Sequence, residues 1–220
     1  MRSGGATGVV ASALGVMAGV SGLDHGFFEV LQGNSATTGL FVHSIGPRQQ
    51  MWAYGTEDAL TLVPNFLVTG ILAVAVAIAV IVWSIGFIDR RHGSRVFLGL
   101  GSMLLLVGGG VAMVVSVILG WAIARRIGRP IEWWRRLTPE PLARGLERVW
   151  PGLLVVAGAL YAVALETAIV GFVPDVSNPD VVQGVCWSTL VAMLGIVLLA
   201  LVGASARDLP VAASGEARAR

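Results

Sequence analysis

Three polar side chains near the end of the first apolar run have the residue types and the spacing of a working site. His25 and Glu29 are four residues apart, and Gln32 follows one turn later, so a helix brings all three to neighbouring positions on one side. An imidazole beside a carboxylate can relay a proton or bind a polar substrate. The same residues could instead form a hydrogen-bonded network that fixes one helix on another. The sequence leaves these alternatives open.

A metal site is the third interpretation of these residues, with His43 or Asp24 as a further ligand. Two ligands on one helical turn are a weak signal, and no His-Glu-x-x-His or paired Glu-x-x-His motif accompanies them. The one cysteine, Cys186, allows neither an intramolecular disulfide nor a thiolate-rich site. We therefore predict no metal and no cofactor.

A second carboxylate, Glu166, lies inside the fourth apolar run. A lone carboxylate in a membrane is costly unless it is protonated, paired or facing water. Its partner would have to come from another helix, and His25 and Asn65 are the available guesses. We therefore group Glu166 with His25, Glu29 and Gln32 as a candidate proton or substrate site.

The helix that would carry these residues also has a stripe of small side chains. Small residues recur at alternating steps of four and three, which places them on one face, and Glu29 occupies one of these positions. Such stripes let a neighbouring backbone approach closely, in the same chain or in a second copy. The stripe consists of Gly15, Gly19, Gly22, Gly26 and Gly33.

The elements that must position these residues are membrane helices. The chain is 55% hydrophobic and only 13% charged, whereas soluble domains carry about 25% charged residues. Five apolar segments are long enough to cross about 30 Å of hydrocarbon as helices. They are residues 6–26, 61–88, 96–124, 152–173 and 182–204. We therefore predict an all-α integral membrane protein: one domain over 1–204, with a disordered tail over 205–220.

The ends of these segments carry recognisable signals. Arg2 before the first run resembles the start of a signal peptide, but one arginine is a thin basic region, so we expect a retained helix. Thr56, Glu57 and Asp58 look like an N-cap and first-turn acids of the second helix. Pro151 is expected to open the fourth.

The third segment, 96–124, has two possible courses. A single crossing is favoured because long apolar runs most often span with tilt, and it leaves eleven arginines on one side and four on the other. The alternative is a re-entrant loop that turns at residues 108–110, which are all glycine. It would leave fourteen arginines on one side and only Arg48 on the other.

The loop before the fourth segment, 125–150, is basic and contains a predicted helix. Tryptophans 133 and 134 beside arginines have the chemistry of a membrane interface. We predict an amphipathic helix lying on the cytoplasmic surface, with Leu142, Leu146 and Val149 on its apolar face. The arginines expected to contact anionic lipid headgroups are Arg125, Arg126, Arg135 and Arg136.

The spacing G-x-x-H-G-x-x-E-x-x-Q-G in residues 22–33 resembles a group of small bacterial multi-pass membrane proteins. The resemblance covers about residues 15–124, including "VPNFLVTGILA" and "LLLVGGG". It implies a membrane fold and no particular activity. In that group prolines follow the glycines of the third segment, and their absence here argues against the re-entrant course.

Three functions remain open on this basis. The favoured one is a helix-packing subunit or accessory component of a plasma-membrane assembly, acting with a second copy or another membrane protein. The alternatives are a small proton-coupled transporter using His25, Glu29 and Glu166, and a membrane-embedded enzyme acting on a lipid-like substrate. No P-loop, G-x-S-x-G or C-x-x-C motif is present, so the prediction leans against an enzyme. The partners expected are lipids, and no nucleic acid.

Overall fold

The structure is a computed structural model that describes residues 5–128 and 138–218, with side chains described as far as residue 209. Within these ranges the chain forms six helices and one two-stranded antiparallel sheet. In chain order they are α1 Gly5–Leu31, β1 Phe41–His43, β2 Asp58–Leu60, α2 Phe66–Gly86, α3 Gly93–Leu106, α4 Met113–Ala124, α5 Glu140–Val170 and α6 Pro179–Arg218.

Four of these helices are long and apolar enough to cross a membrane. They are α1, α2, α5 and the part of α6 from Pro179 to Leu209. A helix satisfies its own backbone hydrogen bonds, which is the condition for crossing hydrocarbon. The all-α membrane-type fold expected from composition is therefore confirmed, while five full spans are not found among the described residues.

The third apolar segment is a helical hairpin, so the favoured single crossing is wrong. The helices α3 and α4 run antiparallel, because Gly101 faces Val117 and Gly120 faces Phe97 across their contact. Gly108 and Gly110 take positive φ angles of +96° and +89° in the turn between them. Glycine adopts such angles at little cost, so the turn forms without prolines inside a run whose hydropathy is continuous.

The hairpin gives the molecule two distinct ends. One end, formed by residues 32–65 and 171–178, is called the loop end. The other, formed by residues 87–92 and 125–128, is called the arginine end. Both ends of the hairpin lie at the arginine end. Its turn, residues 107–112, reaches the loop end and is called the hairpin tip. There the Gly108 N–H donates to the Leu60 carbonyl at 2.9 Å and the Thr69 hydroxyl donates to the Val107 carbonyl at 2.7 Å.

The central helix is α1, and its glycine stripe packs inside the chain. Gly15 lies against Ser84 and Phe97, and Gly26 lies against the carbonyl of Gly70. Gly19 and Gly22 make similar contacts with α2 and α3. Gly33 differs, because it follows the helix with φ +74° and has open space around it. The stripe therefore joins α1 to α2 and to the hairpin.

Several predicted helix boundaries need correction. Helix α2 begins after Asn65, whose side chain accepts from the Val68 N–H at 3.1 Å, so Thr56 is not its N-cap. Pro151 lies inside α5, which runs unbroken for 31 residues. The separate interfacial helix is therefore absent from the described residues. Ala143 and Leu146 instead pack on Val202 of α6 and make the first turns of α5 part of the bundle.

The C-terminal residues 205–218 continue α6 and do not form the predicted tail. Asp208 explains part of this order, because its carboxylate accepts from the backbone N–H groups of Ala6 and Thr7 at 2.8 and 2.9 Å. It thereby caps the start of α1, where unpaired N–H groups and the helix dipole favour a carboxylate.

Candidate functional site

The sheet at the loop end positions two side chains over the end of α1. Strands β1 and β2 pair antiparallel, with His43 opposite Asp58. The ladder continues one step further, where the Ser44 N–H donates to the Glu57 carbonyl at 2.8 Å. Ser44 and Glu57 are therefore neighbours, and both reach the face of α1 that carries His25.

These residues form a continuous chain of polar contacts. Glu57 Oε2 lies 3.4 Å from His25 Nε2. The other ring nitrogen, Nδ1, lies 2.9 Å from Ser44 Oγ, and Ser44 Oγ lies 3.1 Å from Glu29 Oε1. Burial increases along the chain: the Glu57 side chain is 20% exposed, His25 is 2% exposed, and Ser44 and Glu29 are fully buried. We call these four residues the relay cluster.

The hairpin tip closes over the buried half of the relay cluster. Gly108 lies against the Glu29 carboxylate and Gly110 lies against the His25 ring. A Cβ atom at either position would overlap these side chains. Glycine is therefore required here for space as well as for its positive φ, and the tip holds both ionisable groups against α1.

Two carboxylate oxygens near the cluster have no hydrogen-bond partner in the described structure. They are Glu29 Oε2 and Asp24 Oδ2, and both atoms are buried. Asp24 lies within electrostatic reach of His25 and Glu57. A buried polar group without a partner costs about 1–3 kcal/mol, and more when charged. Such groups in membrane helices commonly mark proton or ion pathways.

Gln32 supports the cluster from outside it. Its side-chain amide donates to the carbonyls of His43 and Ser44, at 3.0 and 2.7 Å. It thus holds the backbone that carries the Ser44 hydroxyl. The structure brings together His25 and Glu29 as the helical spacing indicates, with Gln32 as a support for Ser44.

Glu166 does not join the relay cluster. It is exposed on the outer face of α5, whereas Ala164 and Thr167 face the bundle. Asn65, one of its suggested partners, caps α2 and donates to Asn34 at 2.7 Å. The other, His25, has both ring nitrogens engaged by the cluster.

The functional residues that sequence reasoning missed are Ser44 and Glu57. They lie 15 and 28 positions after Glu29 in a loop, beyond the reach of any helical spacing rule. The sequence predicts Glu57 in the first turn of α2, but it lies directly before β2 with φ +49°, and its side chain reaches His25 of α1. Only the pairing of two three-residue strands brings both residues to the site.

The loop between Ser44 and Glu57 is tied to α5 and α6. The Trp52 indole N–H donates to the Ala168 carbonyl at 2.8 Å, and the Tyr54 hydroxyl donates to Asp180 at 2.6 Å. This hydrogen bond and the negative charge of Asp180 raise the pKa of Tyr54 above its usual value. Tyr54 therefore stays protonated through the neutral range and keeps donating.

The geometry limits the chemistry of the site. Among the described side chains, residues 5–128 and 138–209, no group of three or more His, Cys, Asp or Glu is placed to hold a metal ion. His43 points away, 64% exposed and paired with Asp58 at 2.8 Å. Ser44 next to His25 could be an activated nucleophile, but it is fully buried. Proton exchange is the chemistry that needs no substrate to reach these atoms.

The predicted lipid-contact arginines lie apart from this site. Arg125 and Arg126 are exposed at the arginine end, and the Arg125 guanidinium lies 4.8 Å from the centroid of the Trp121 ring. Arg135 and Arg136 fall outside the described residues. Contact with anionic lipid remains a prediction.

Comparison with protein-family models, with curated proteins and with solved structures finds no match to this chain. Its function therefore has to be inferred from the geometry of its own residues.

Proposed function

We propose that this protein is a small proton-coupled transport protein of the plasma membrane. The observation that carries the proposal is the relay cluster. It leads from a partly exposed carboxylate, Glu57, to a fully buried one, Glu29, through contacts of 3.4, 2.9 and 3.1 Å. A proton entering at the loop end would reach a carboxylate with one oxygen still free to bind it.

The helical hairpin supports this proposal. Helix α3 has 14 residues and so a length of about 21 Å, shorter than the roughly 30 Å of a hydrocarbon core. Non-helical backbone at membrane depth is tolerated only where protein or water surrounds it. Interrupted helices of this kind build ion and substrate sites in transporters. Here the interruption lies on Glu29 and His25, so a movement of the tip would expose or cover the proton site.

The arginine distribution supports one orientation. Nine arginine side chains are described, and eight of them lie toward the arginine end while only Arg48 is at the loop end. Basic residues near membrane helices favour the cytoplasmic side. We therefore place the arginine end in the cytoplasm and the opening at Glu57 outside.

A flux measurement with a matched pair of carboxylates tests this proposal. Purified protein is placed in liposomes with a pH-sensitive dye inside, and a potassium gradient with valinomycin drives protons inward. We expect Glu29→Gln to reduce the flux to that of empty liposomes. Glu166→Gln is the control, because this carboxylate is exposed on α5 away from the cluster, and it should leave the flux unchanged. Equal flux in Glu29→Gln and the wild type would contradict the proposal.

An accessory subunit of a membrane assembly is a second candidate, favoured by one surface. Helices α5 and α6 leave an open groove of about 520 Å³, in which Gly184, Ser188 and Ala192 form a stripe of small residues at steps of four. Such a stripe suits a partner helix. Photo-crosslinking from position 188 in native membranes should then capture a defined protein. Position 103 on the exposed face of α3 should not, and equal labelling from both would count against this candidate.

A further inference from the structure

Ser44 is in contact with two groups but has only one proton to donate. Its Oγ lies 2.9 Å from His25 Nδ1 and 3.1 Å from Glu29 Oε1. A hydroxyl donates one hydrogen bond and accepts up to two. If Ser44 donates to Glu29, the His25 contact needs a proton on Nδ1. If Ser44 donates to His25, the Glu29 contact needs a proton on Glu29.

The same constraint applies at the other side of the ring. His25 Nε2 faces Glu57 Oε2 at an ion-pair distance of 3.4 Å, and a proton on either of these two atoms makes the contact favourable. A neutral imidazole carries its proton on one nitrogen only. The tautomer of His25 is therefore linked to the protonation of Glu57 on one side and of Glu29 on the other.

We propose that Ser44 is a proton relay between His25 and Glu29, and that the His25 ring changes tautomer as a proton passes from Glu57 to Glu29. In the first state Glu57 is protonated, His25 is protonated on Nδ1, and Ser44 donates to ionised Glu29. In the last state Glu57 is ionised, His25 is protonated on Nε2, Ser44 donates to Nδ1, and Glu29 is protonated and donates to Ser44.

The proton count is the same in both states. Glu57 gives its proton to Nε2, Nδ1 gives its proton to Ser44, and Ser44 gives its own proton to Glu29. Between them lies an imidazolium with both carboxylates ionised, which also satisfies every contact. Each of these states carries one net negative charge, which moves from Glu29 to Glu57. No oxidant, reductant or further reactant is required.

Burial makes the serine a necessary part of this path. Ser44 and Glu29 are fully buried and His25 is 2% exposed, so bulk water does not connect the ring to the carboxylate. At Gly108 and Gly110 the hairpin tip itself brings no side chain between the ring and the carboxylate. A serine with only a structural role would keep one fixed hydrogen-bond direction. Here His25 and Glu29 can each donate to Ser44 or accept from it, depending on their protonation.

Other titratable groups act on the ring from outside the path. Asp24 on α1 lies within electrostatic reach of His25, and Tyr161 on α5 lies within reach of Asp24 and Glu57. Asp24 acts on the ring through space, and Tyr161 acts on Asp24 and Glu57; none of these interactions involves the Ser44 hydroxyl. A test of the relay must therefore separate effects through Ser44 from effects through space.

Nitrogen-15 NMR of the histidine rings, in full-length protein in lipid nanodiscs, provides that test. His43→Gln and His92→Gln leave His25 as the only histidine signal. We expect wild-type His25 to show both neutral forms, Nδ1–H and Nε2–H, because the two states of the relay contain the same number of protons and are both populated. In Glu29→Met the only acceptor left for Ser44 is Nδ1, so the neutral ring should be Nε2–H throughout.

Two Ser44 variants complete the experiment. Ser44→Thr keeps the hydroxyl and should behave as the wild type does. Ser44→Ala should remove the effect of Glu29→Met, so that the single and double variants show the same tautomer ratio. The relay proposal would be overturned if Glu29→Met changed the His25 tautomer ratio equally with and without the Ser44 hydroxyl. It would also be overturned if wild-type His25 showed a single neutral tautomer at every pH.

This inference rests on the proposed proton role of the cluster, yet the two fail separately. The NMR measurement reads proton positions at His25 and does not depend on transport. A working relay without proton flux would leave the Ser44 mechanism standing and remove the transport function. Proton flux together with a His25 tautomer that does not respond to Glu29→Met would leave the transport function standing and remove the Ser44 mechanism.

Discussion

Glu29 is a buried carboxylate that uses only one of its two oxygens. One oxygen accepts from Ser44 at 3.1 Å, and the other has no partner in the described structure. A network whose only purpose is to hold helices together gains stability by satisfying every polar atom. We interpret the unpartnered oxygen of Glu29 as the atom that accepts a proton.

This interpretation predicts that removing the carboxylate does not weaken the fold. Methionine has a similar length to glutamate, and it removes a buried oxygen without a partner, whose burial costs about 1–3 kcal/mol and more when charged. We expect Glu29→Met to unfold at the same temperature as the wild type or higher in a thermal-shift assay in detergent, with proton flux lost.

Glu29→Ala is the control for packing at the same position. It leaves a cavity in the contact with the hairpin tip, and such truncations cost about 2–5 kcal/mol, so it should unfold at a lower temperature. If Glu29→Met is as destabilised as Glu29→Ala, the carboxylate serves to hold the helices together.

Half of the relay cluster could be predicted from the sequence. His25 and Glu29 share a helix, and the periodicity of 3.6 residues places them together. Ser44 and Glu57 come from a loop whose strands have three residues each, and no periodic pattern marks so short a strand. A carboxylate in an apolar run is unusual and so predicts Glu166 as a site residue, but hydropathy does not tell which face of a helix points outward.

At the scale of elements, the hairpin tip joins the sheet, α1 and the relay cluster. Gly108 has φ +96°, donates to Leu60 and lies against the Glu29 carboxylate. Alanine at this position is strained by its backbone angle and also overlaps the carboxylate. The strain of such a conformation is about 1–3 kcal/mol.

We therefore expect Gly108→Ala to lower the unfolding temperature and to abolish proton flux. Gly99 in α3 is the matched control, because a Cβ there meets open space. Alanine is favoured over glycine inside a helix by about 0.5–1 kcal/mol, so Gly99→Ala should be neutral or slightly stabilising. Equal unfolding temperatures for the two variants would show that the tip is not held as described.

The elements themselves were predictable to different degrees. Apolar runs long enough to cross a membrane indicated α1, α2, α5 and α6, because hydrocarbon leaves the chain few options besides a helix. Hydropathy alone makes the division into α3 and α4 the less favoured course, although the three consecutive glycines at 108–110 indicate it. Hydropathy indicates whether a segment lies in an apolar environment. It does not mark the turn, which depends on hydrogen bonds from Gly108 and Val111 to residues of β2.

At the scale of the whole molecule, the hairpin determines which loops share a side. Ser94 lies in the first turn of α3 at the arginine end, and Ser177 lies in the loop before α6 at the loop end. A single crossing by the third segment would place both on the same side of a membrane. The hairpin places them at opposite ends of the molecule, so we predict that they face opposite sides.

Cysteine labelling in intact cells tests this arrangement. In a Cys186→Ser background, a membrane-impermeant maleimide should label Ser177→Cys from outside and Ser94→Cys only after permeabilisation. Labelling of both positions in intact cells would show a single crossing. Labelling of Ser94→Cys alone would keep the hairpin and reverse the orientation.

The most direct test of the proton role is infrared difference spectroscopy of the protein in lipid as the pH is changed. A buried carboxyl group that gains a proton gives a carbonyl stretching band of its own. We predict such a band in the wild type and in Glu166→Gln, its absence in Glu29→Gln, and a shift in Ser44→Ala, where the hydrogen bond to Glu29 is lost. A wild-type spectrum with no band that depends on Glu29 would mean that this carboxylate does not exchange a proton, and would contradict the proposed function.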